Sequence, residues 1–279
     1  TGTEINDTIH IDSLVGQARG EVRLWGSLAM KNIREPAFNL SLVADNAEML
    51  RDRRGRVRTD ANLTLVGPFR DARLGGRVDI TQGVIYVPKP SGQHVISASD
   101  PDLFNVLDTA AMAGRELFPL ESPLLANMRV DVELGVARGT WLRSKEANVE
   151  LYTEYPMVVH VDQSALTLTG SVTTERGEYN FLSKRFQISR GQATFLGTPD
   201  LNATLQVTGE FQVQLPNAPA TNIQVVIGGT IKKPKVSLQS DAHPPRSQSE
   251  LLSLLAFGQS TTSLLRPEGT SLASVGTTG

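Results

Sequence analysis

Four histidines, His10, His94, His160 and His243, are the side chains in this chain best suited to proton transfer or metal ligation, and they are scattered. No two stand at the i, i+4 spacing that places both imidazoles on one helical face, and without cysteine there is no thiolate, so no metal centre is expected. His160 alternates with Val159 and Val161, a spacing that points it outward from a strand. Nucleophile signatures are missing: neither Gly-x-Ser-x-Gly nor Ser-x-x-Lys occurs. Ser91, His94, Ser97 and Asp100 are of triad types, but they crowd one Pro/Gly/Ser-rich loop, whereas triads are assembled from distant segments. Gly228-Gly229-Thr230-Ile231-Lys232-Lys233 lacks phosphate-loop spacing and reads as a glycine bend followed by an exposed lysine pair. The basic run Arg51 to Arg58 reads as a solvated turn and strand edge, where charge discourages pairing with other chains. No catalytic residue, cofactor or metal is therefore assigned, and the chain is not expected to be an enzyme.

The elements around these residues alternate with a period of two. Leu63 and Leu65, Val78 and Ile80, Val130 and Val132, Leu166 and Leu168, Leu205 and Val207, and Val225 and Ile227 each place apolar side chains on one side of an extended segment. Roughly sixteen such segments follow at the spacing of about 8 to 12 residues expected of an all-β chain. Gly75-Gly76, Arg176-Gly177 and Pro216-Asn217 read as turns between them. A weak echo links Val78–Val87 to Phe186–Phe195, each unit reading as a strand, a tight turn at Gly83 or Gly191, and a second strand; Leu-Thr-Leu stands upstream of both, at Leu63 and Leu166. Two helices break the pattern. One runs over 100–114, with Asp100 as N-cap and Pro101 first; the other starts at Ser247, has Glu250 at the capping-box spacing, and carries Leu251, Leu252, Leu254, Leu255 and Phe257.

Counting glycine and omitting tyrosine, about 46% of the residues are apolar, an ordinary value for a folded chain. The longest apolar run, Leu251 to Phe257, is far short of the roughly 20 residues needed to span a bilayer as a helix. A formal charge of −2 gives no global reason to bind nucleic acid. The start at Thr1 and the small polar end, Thr270 to Gly279, read as a piece excised from a longer protein. A flat sheet of about sixteen strands would extend roughly 75 Å, more than open sheets tolerate without curling or splitting. Folding it lengthwise brings apolar face towards apolar face, either as a sealed core or as an open trough, and composition is compatible with both.

The last third carries a more specific pattern. Gly177-Glu178-Tyr179-Asn180-Phe181, Phe186–Phe195, Asn202-Ala203-Thr204-Leu205, Gly229–Leu238 and Glu250–Gly258 resemble, in order and spacing, the C-terminal region of the TamB family, the inner-membrane-anchored subunit of the translocation and assembly module. Residues 5–156 match it only in strand grammar. The resemblance implies a periplasmic β-sheet bent into an apolar trough, in an inner-membrane protein of the Gram-negative envelope whose N-terminal anchor lies outside this segment. It further implies an AsmA-like role in carrying phospholipid between inner and outer membranes, and the outer-membrane barrel TamA as partner in outer-membrane protein assembly.

The expectation is thus an all-β chain: a long curved sheet folded lengthwise into a U-shaped trough over 1–240, with the inserted helix, then a Leu-rich helix and small-polar tail over 241–279. Leu63, Leu65, Val78, Ile80, Val130, Val132, Leu166, Leu168, Phe186, Ile188, Leu205, Val207, Val225 and Ile227 are expected to line a groove for phospholipid acyl chains. Leu251, Leu252, Leu254, Leu255 and Phe257 are expected to plug the groove or meet a partner. The rival is a dry-cored scaffold or chaperone-like module that serves outer-membrane barrels through exposed strand edges.

Overall fold

The computed structural model describes residues 8–17, 19–30, 36–87, 128–162, 165–181, 183–214, 220–243 and 245–257. The alternating segments form fifteen strands of a single mixed sheet, one fewer than the pattern suggested. They are β1 (Thr8–Gln17), β2 (Glu21–Ala29), β3 (Ala37–Asp52), β4 (Gly55–Pro68), β5 (Ala72–Tyr86), β6 (Met128–Val136), β7 (Thr140–Arg143) and β8 (Ala147–Leu151). There follow β9 (Met157–Asp162), β10 (Ala165–Thr174), β11 (Gly177–Phe181), β12 (Lys184–Leu196), β13 (Thr204–Val213), β14 (Thr221–Thr230) and β15 (Lys233–Ser240). The described helix, α1, is Gln248–Phe257. The expected helix over 100–114, the Ser91/His94/Ser97/Asp100 cluster and Pro216-Asn217 lie outside the described residues.

Pairing follows chain order. Three rows are broken in two: β6 and β7 both run along β5, β8 and β9 form the next row, and β10 and β11 both run along β12. The sheet is otherwise an antiparallel meander; the one parallel step among these strands is from β5 to β6 and β7.

Two expected tight turns are something else. Gly83 and Gly191 lie inside the continuous strands β5 and β12, each just past a bulge. In β5 the register passes from Ile80 to Gln82 and leaves Thr81 extra; in β12 it passes from Ile188 to Arg190 and leaves Ser189 extra. Both extra residues use their hydroxyl in the same way. Thr81 Oγ1 donates to the Arg58 carbonyl at 3.3 Å, and Ser189 Oγ to the Thr208 carbonyl at 3.2 Å. The sequence echo is therefore a repeated bulge that bends a strand, not a turn that reverses it.

Gly75-Gly76 is also mid-strand, in β5. Gly76 has φ +127°, and a Cβ there would stand 2.1 Å from the Asn62 carbonyl oxygen of β4, so glycine allows the close approach of two backbones. Arg176-Gly177 does interrupt the chain, but the strand resumes in the same row.

These irregularities line up. β3 carries register shifts at Ala44/Ala47 and Glu48/Leu50, with Asn46 at φ 45° held by an N–H···Oδ1 bond to Asp60 at 2.7 Å. Next to it come the Thr81 bulge, the breaks between β6 and β7, β8 and β9, and β10 and β11, and the Ser189 bulge. Bulged strands bend, so a row of bulges and breaks across neighbouring strands creases the sheet along its length.

Candidate functional site

Residues directly opposite one another in paired strands point to the same face. Following the registers from Leu42↔Leu63 and Leu40↔Leu65 through Ala61↔Val78, Thr59↔Ile80, Leu74↔Val130, Gly76↔Val132, Val130↔Val161, Leu166↔Val161 and Leu168↔Val159 leads to one apolar face. It continues through Val172↔Ala193, Ala193↔Leu205, Gly191↔Val207, Ile188↔Gly209, Val207↔Ile227 and Gly209↔Val225. Phe186, two residues from Ile188, belongs to it as well. All fourteen residues named from the sequence thus share one face across the sheet. The opposite face carries Arg73, Arg77, Arg129, Asp131, Glu133, His160 and Asp162, several of them joined across strands: Arg77 to Glu133 at 3.6 Å, Arg129 to Asp162 at 3.8 Å, and His160 Nδ1 to Asp131 at 2.6 Å. His160 is an outward side chain, hydrogen-bonded to Asp131 on the exposed polar face.

The apolar face is covered unevenly. At the C-terminal end, α1 lays Leu251, Leu254 and Leu255 against Phe186, Val213, Ile223, Val225, Ile227 and Leu238, with Leu205, Val207 and Leu252 packed around them. Phe186 is fully buried and meets Phe181 edge-on at 6.4 Å and Phe211 at 5.5 Å between centroids. The side chain of Phe257 lies outside the described ones.

The helix sits there for local reasons. Ser247 Oγ accepts the Glu250 N–H at 3.3 Å, Arg246 reaches Glu250 at 2.9 Å, and the Gln248 side-chain amide both accepts from the Leu238 N–H at 2.9 Å and donates to the Leu238 carbonyl. Gln248 thereby occupies the free edge of β15, already blunted by Pro234 and two lysines. Shortening Leu254, 1% exposed, to alanine is expected to cost about 2 to 4 kcal/mol in urea unfolding, because the cavity cannot collapse between helix and sheet.

Over β2 to β6, β9 and β10 no described helix packs on this face. Val130, Val132, Met128 and Val161 are buried by their neighbours, whereas Leu63, Leu65, Val78, Ile80, Leu166 and Leu168 remain half-buried. Ala44, Ala47 and Ala61 form a small-residue floor beside the crease.

The crease is held from behind, on the polar face. Glu150 on β8, with its side chain 5% exposed, accepts the Gly139 N–H at 2.8 Å and Arg176 Nη2 and Nε at 2.8 and 3.1 Å. Arg176 also lies over the Trp141 ring at 5.4 Å, and Arg138 stacks on Tyr152 at 3.8 Å while pairing with Glu175 at 2.8 Å. Each break is thus bridged to the next. Desolvation pushes the Glu150 carboxyl up, but the bonds from Arg176 and Gly139 and the charges of Arg176 and Arg138 outweigh it and hold the pKa below the usual glutamate value. A depressed folded pKa means stability that is complete above about pH 4.3, the unfolded value, and lost as pH falls through the folded one. Glu150→Gln should therefore cost about 1 to 2 kcal/mol at pH 7, modest because Arg176 is largely exposed, and the two proteins should converge in acid urea melts.

Among the described residues, no group of three or more His, Asp or Glu could hold a metal ion. None of the described helices is long and apolar enough to cross a membrane. No curated protein matches the chain. The family described as the TamB C-terminal domain matches residues 12–279, which takes in the creased sheet and its covering helix as well as the blocks in the last third. That family consists of envelope proteins of the translocation and assembly module, in association with TamA. The match covers nearly the whole chain and agrees with a single all-β sheet whose C-terminal blocks stand in the family's order, and the chain belongs to the TamB family.

Proposed function

We propose that the apolar face is a groove for phospholipid acyl chains, in a periplasmic segment of an inner-membrane-anchored protein that passes lipid between inner and outer membranes and is linked to outer-membrane protein assembly. The observation that carries this reading is the uncovered stretch: large aliphatic side chains at Leu63, Leu65, Val78, Leu166 and Leu168 are only partly buried on one continuous face, with no described helix over them. Burying each methylene of an acyl chain there is worth about 0.8 kcal/mol, and a uniform face offers tails a shielded path without a deep stopping point. Sliding along it requires no nucleophile, acid or metal. Phe186, Leu205, Val207, Val225 and Ile227 belong to the same face, but α1 lies on them, so the helix ends the groove at β12 to β15.

The test is mass spectrometry of lipid retained by the chain after detergent-free purification. Retained phospholipid at about one molecule or more per chain is expected; lipid-free protein that also excludes added lipid would contradict the groove.

One observation favours a second reading, a strand-binding scaffold for outer-membrane barrels. The edge strand β1 has no proline or lysine, and Ile9, Leu14 and Val15 are more than half exposed. Capture of extended barrel segments by lipid-free protein, lost on placing a proline in β1, would support it.

A further inference from the structure

Cations on the two rims of the creased sheet are paired to different extents. One rim follows neighbouring strand ends: the Tyr86 N–H donates to the Arg54 carbonyl at 2.8 Å, the Val87 N–H to the Arg143 carbonyl at 2.9 Å, and the Asn180 N–H to the Glu146 carbonyl at 2.7 Å. Three hairpin tips meet on it, β3–β4, β7–β8 and β11–β12, and each presents a cation: Arg53, Lys145 and Lys184. None of the three has an ion pair among the described residues, whereas Asp52 is engaged by Arg54 at 2.7 Å and Glu178 by Arg185 at 3.5 Å. On the opposite rim several cations are neutralised in place, while Lys233 and Lys235 at the start of β15 have no ion pair among the described residues. Asp71 holds Arg73 and Arg129 at 3.5 and 3.4 Å, and Asp200 holds Lys232 at 3.1 Å.

We infer that the tips bearing Arg53, Lys145 and Lys184 form a phosphate-binding rim, which takes the phosphodiester head groups of lipids whose tails lie on the apolar face. The inference rests on the groove proposed above and adds to it a preference for head-group chemistry. Counting sheet rows at about 4.8 Å, the three tips stand roughly 14 and 10 Å apart, so they act as separate stations along one edge rather than as one site. The walls on this side are short. β7, β8 and β11 have four or five residues each, about 15 Å, so a chain lying across the wall brings its polar end to the tips. Cations at a surface attract anionic lipid by Coulomb interaction that salt screens within about 10 Å at 0.1 M.

The experiment compares the transfer of fluorescent phosphatidylglycerol and diacylglycerol, which share tails but not phosphate, by the full chain between vesicles. At low salt the unaltered chain is expected to transfer phosphatidylglycerol about tenfold faster. The combined Arg53→Gln, Lys145→Gln and Lys184→Gln variant should lose that preference and keep diacylglycerol transfer, and high salt should reproduce the loss in the unaltered chain. The single variants Lys145→Gln, in the β7–β8 turn, and Lys184→Gln, at the first residue of β12, should give graded losses if the triple variant folds poorly. An undiminished preference in the variants, or no preference at all in the unaltered chain, overturns the rim and leaves the groove standing. Failure to take up either lipid overturns both. Added inorganic phosphate that competes with both lipids equally also overturns the rim, because a head-group site is blocked only for phosphatidylglycerol.

Discussion

Deleting Ser189 is expected to abolish the C-terminal half of the sheet's packing, although the residue is exposed and makes one hydrogen bond. Strand side chains alternate, so removing the extra residue of the bulge shifts one side of β12 by a position and moves its apolar residues to the other face. Phe186, now fully buried, and Ile188, 6% exposed, would turn to solvent, while Arg185 and Gln187 would turn into the cluster beneath α1. The loss of two large buried side chains and the burial of an arginine each cost several kcal/mol, together more than the roughly 5 to 15 kcal/mol margin of a folded domain comfortably absorbs. Urea unfolding and limited proteolysis should show early loss of β11 to β15 and α1. Ser189→Ala is the control: it keeps the register, removes the bond to the Thr208 carbonyl, and should cost only about 1 kcal/mol. A deletion that unfolds like that control would mean the bulge does not set which face β12 presents.

The second large effect concerns transport rather than folding. Leu168→Asp places a carboxylate on the apolar face at a half-buried position opposite Val159, where water can still solvate it, so the sheet should fold with circular dichroism unchanged. An acyl chain passing that point would have to dehydrate the charge, a cost of several kcal/mol, and transfer between vesicles should fall by about 100-fold or more. Ile188→Arg is a poorer probe than its alternation alone implies: Ile188 is buried, so the charge would unfold its surroundings before it could report on lipid. Leu168→Asp that folds and transfers normally would remove Leu168 from the path.

The apolar face was readable because period-two alternation is a local property, carried by pairs such as Leu166 and Leu168 whatever their partners. The start of α1 was equally local, since Ser247 and Glu250 stand within one turn of each other. What escaped was everything that depends on a partner strand. Gly76 looked like a turn residue because paired glycines usually are; its role is set by the Asn62 carbonyl that a Cβ would strike. The motif Ile-Thr-Gln-Gly and its echo Ile-Ser-Arg-Gly were visible, but nothing local distinguishes a bulge from a reversal. Likewise Glu150 carries no motif. Its position behind the crease follows from β8 meeting Gly139 and Arg176, which are 11 and 26 residues away. The docking place of α1 on β12 to β15 and the gathering of Arg53, Lys145 and Lys184 on one rim are products of strand order in the same way.

The measurement closest to the central claim is photocrosslinking from single positions along β10 to phospholipid, carried out on the chain in cells or with vesicles. A photoreactive amino acid at position 166 or 168, on the apolar face, should capture lipid; at 167 or 169, which pair with His160 and Val158 on the polar face, it should not. Alternation of lipid adducts with the period of the strand is the predicted result. Equal labelling on both faces, or none at 166 and 168 while the protein is folded, would contradict an acyl-chain groove on this sheet.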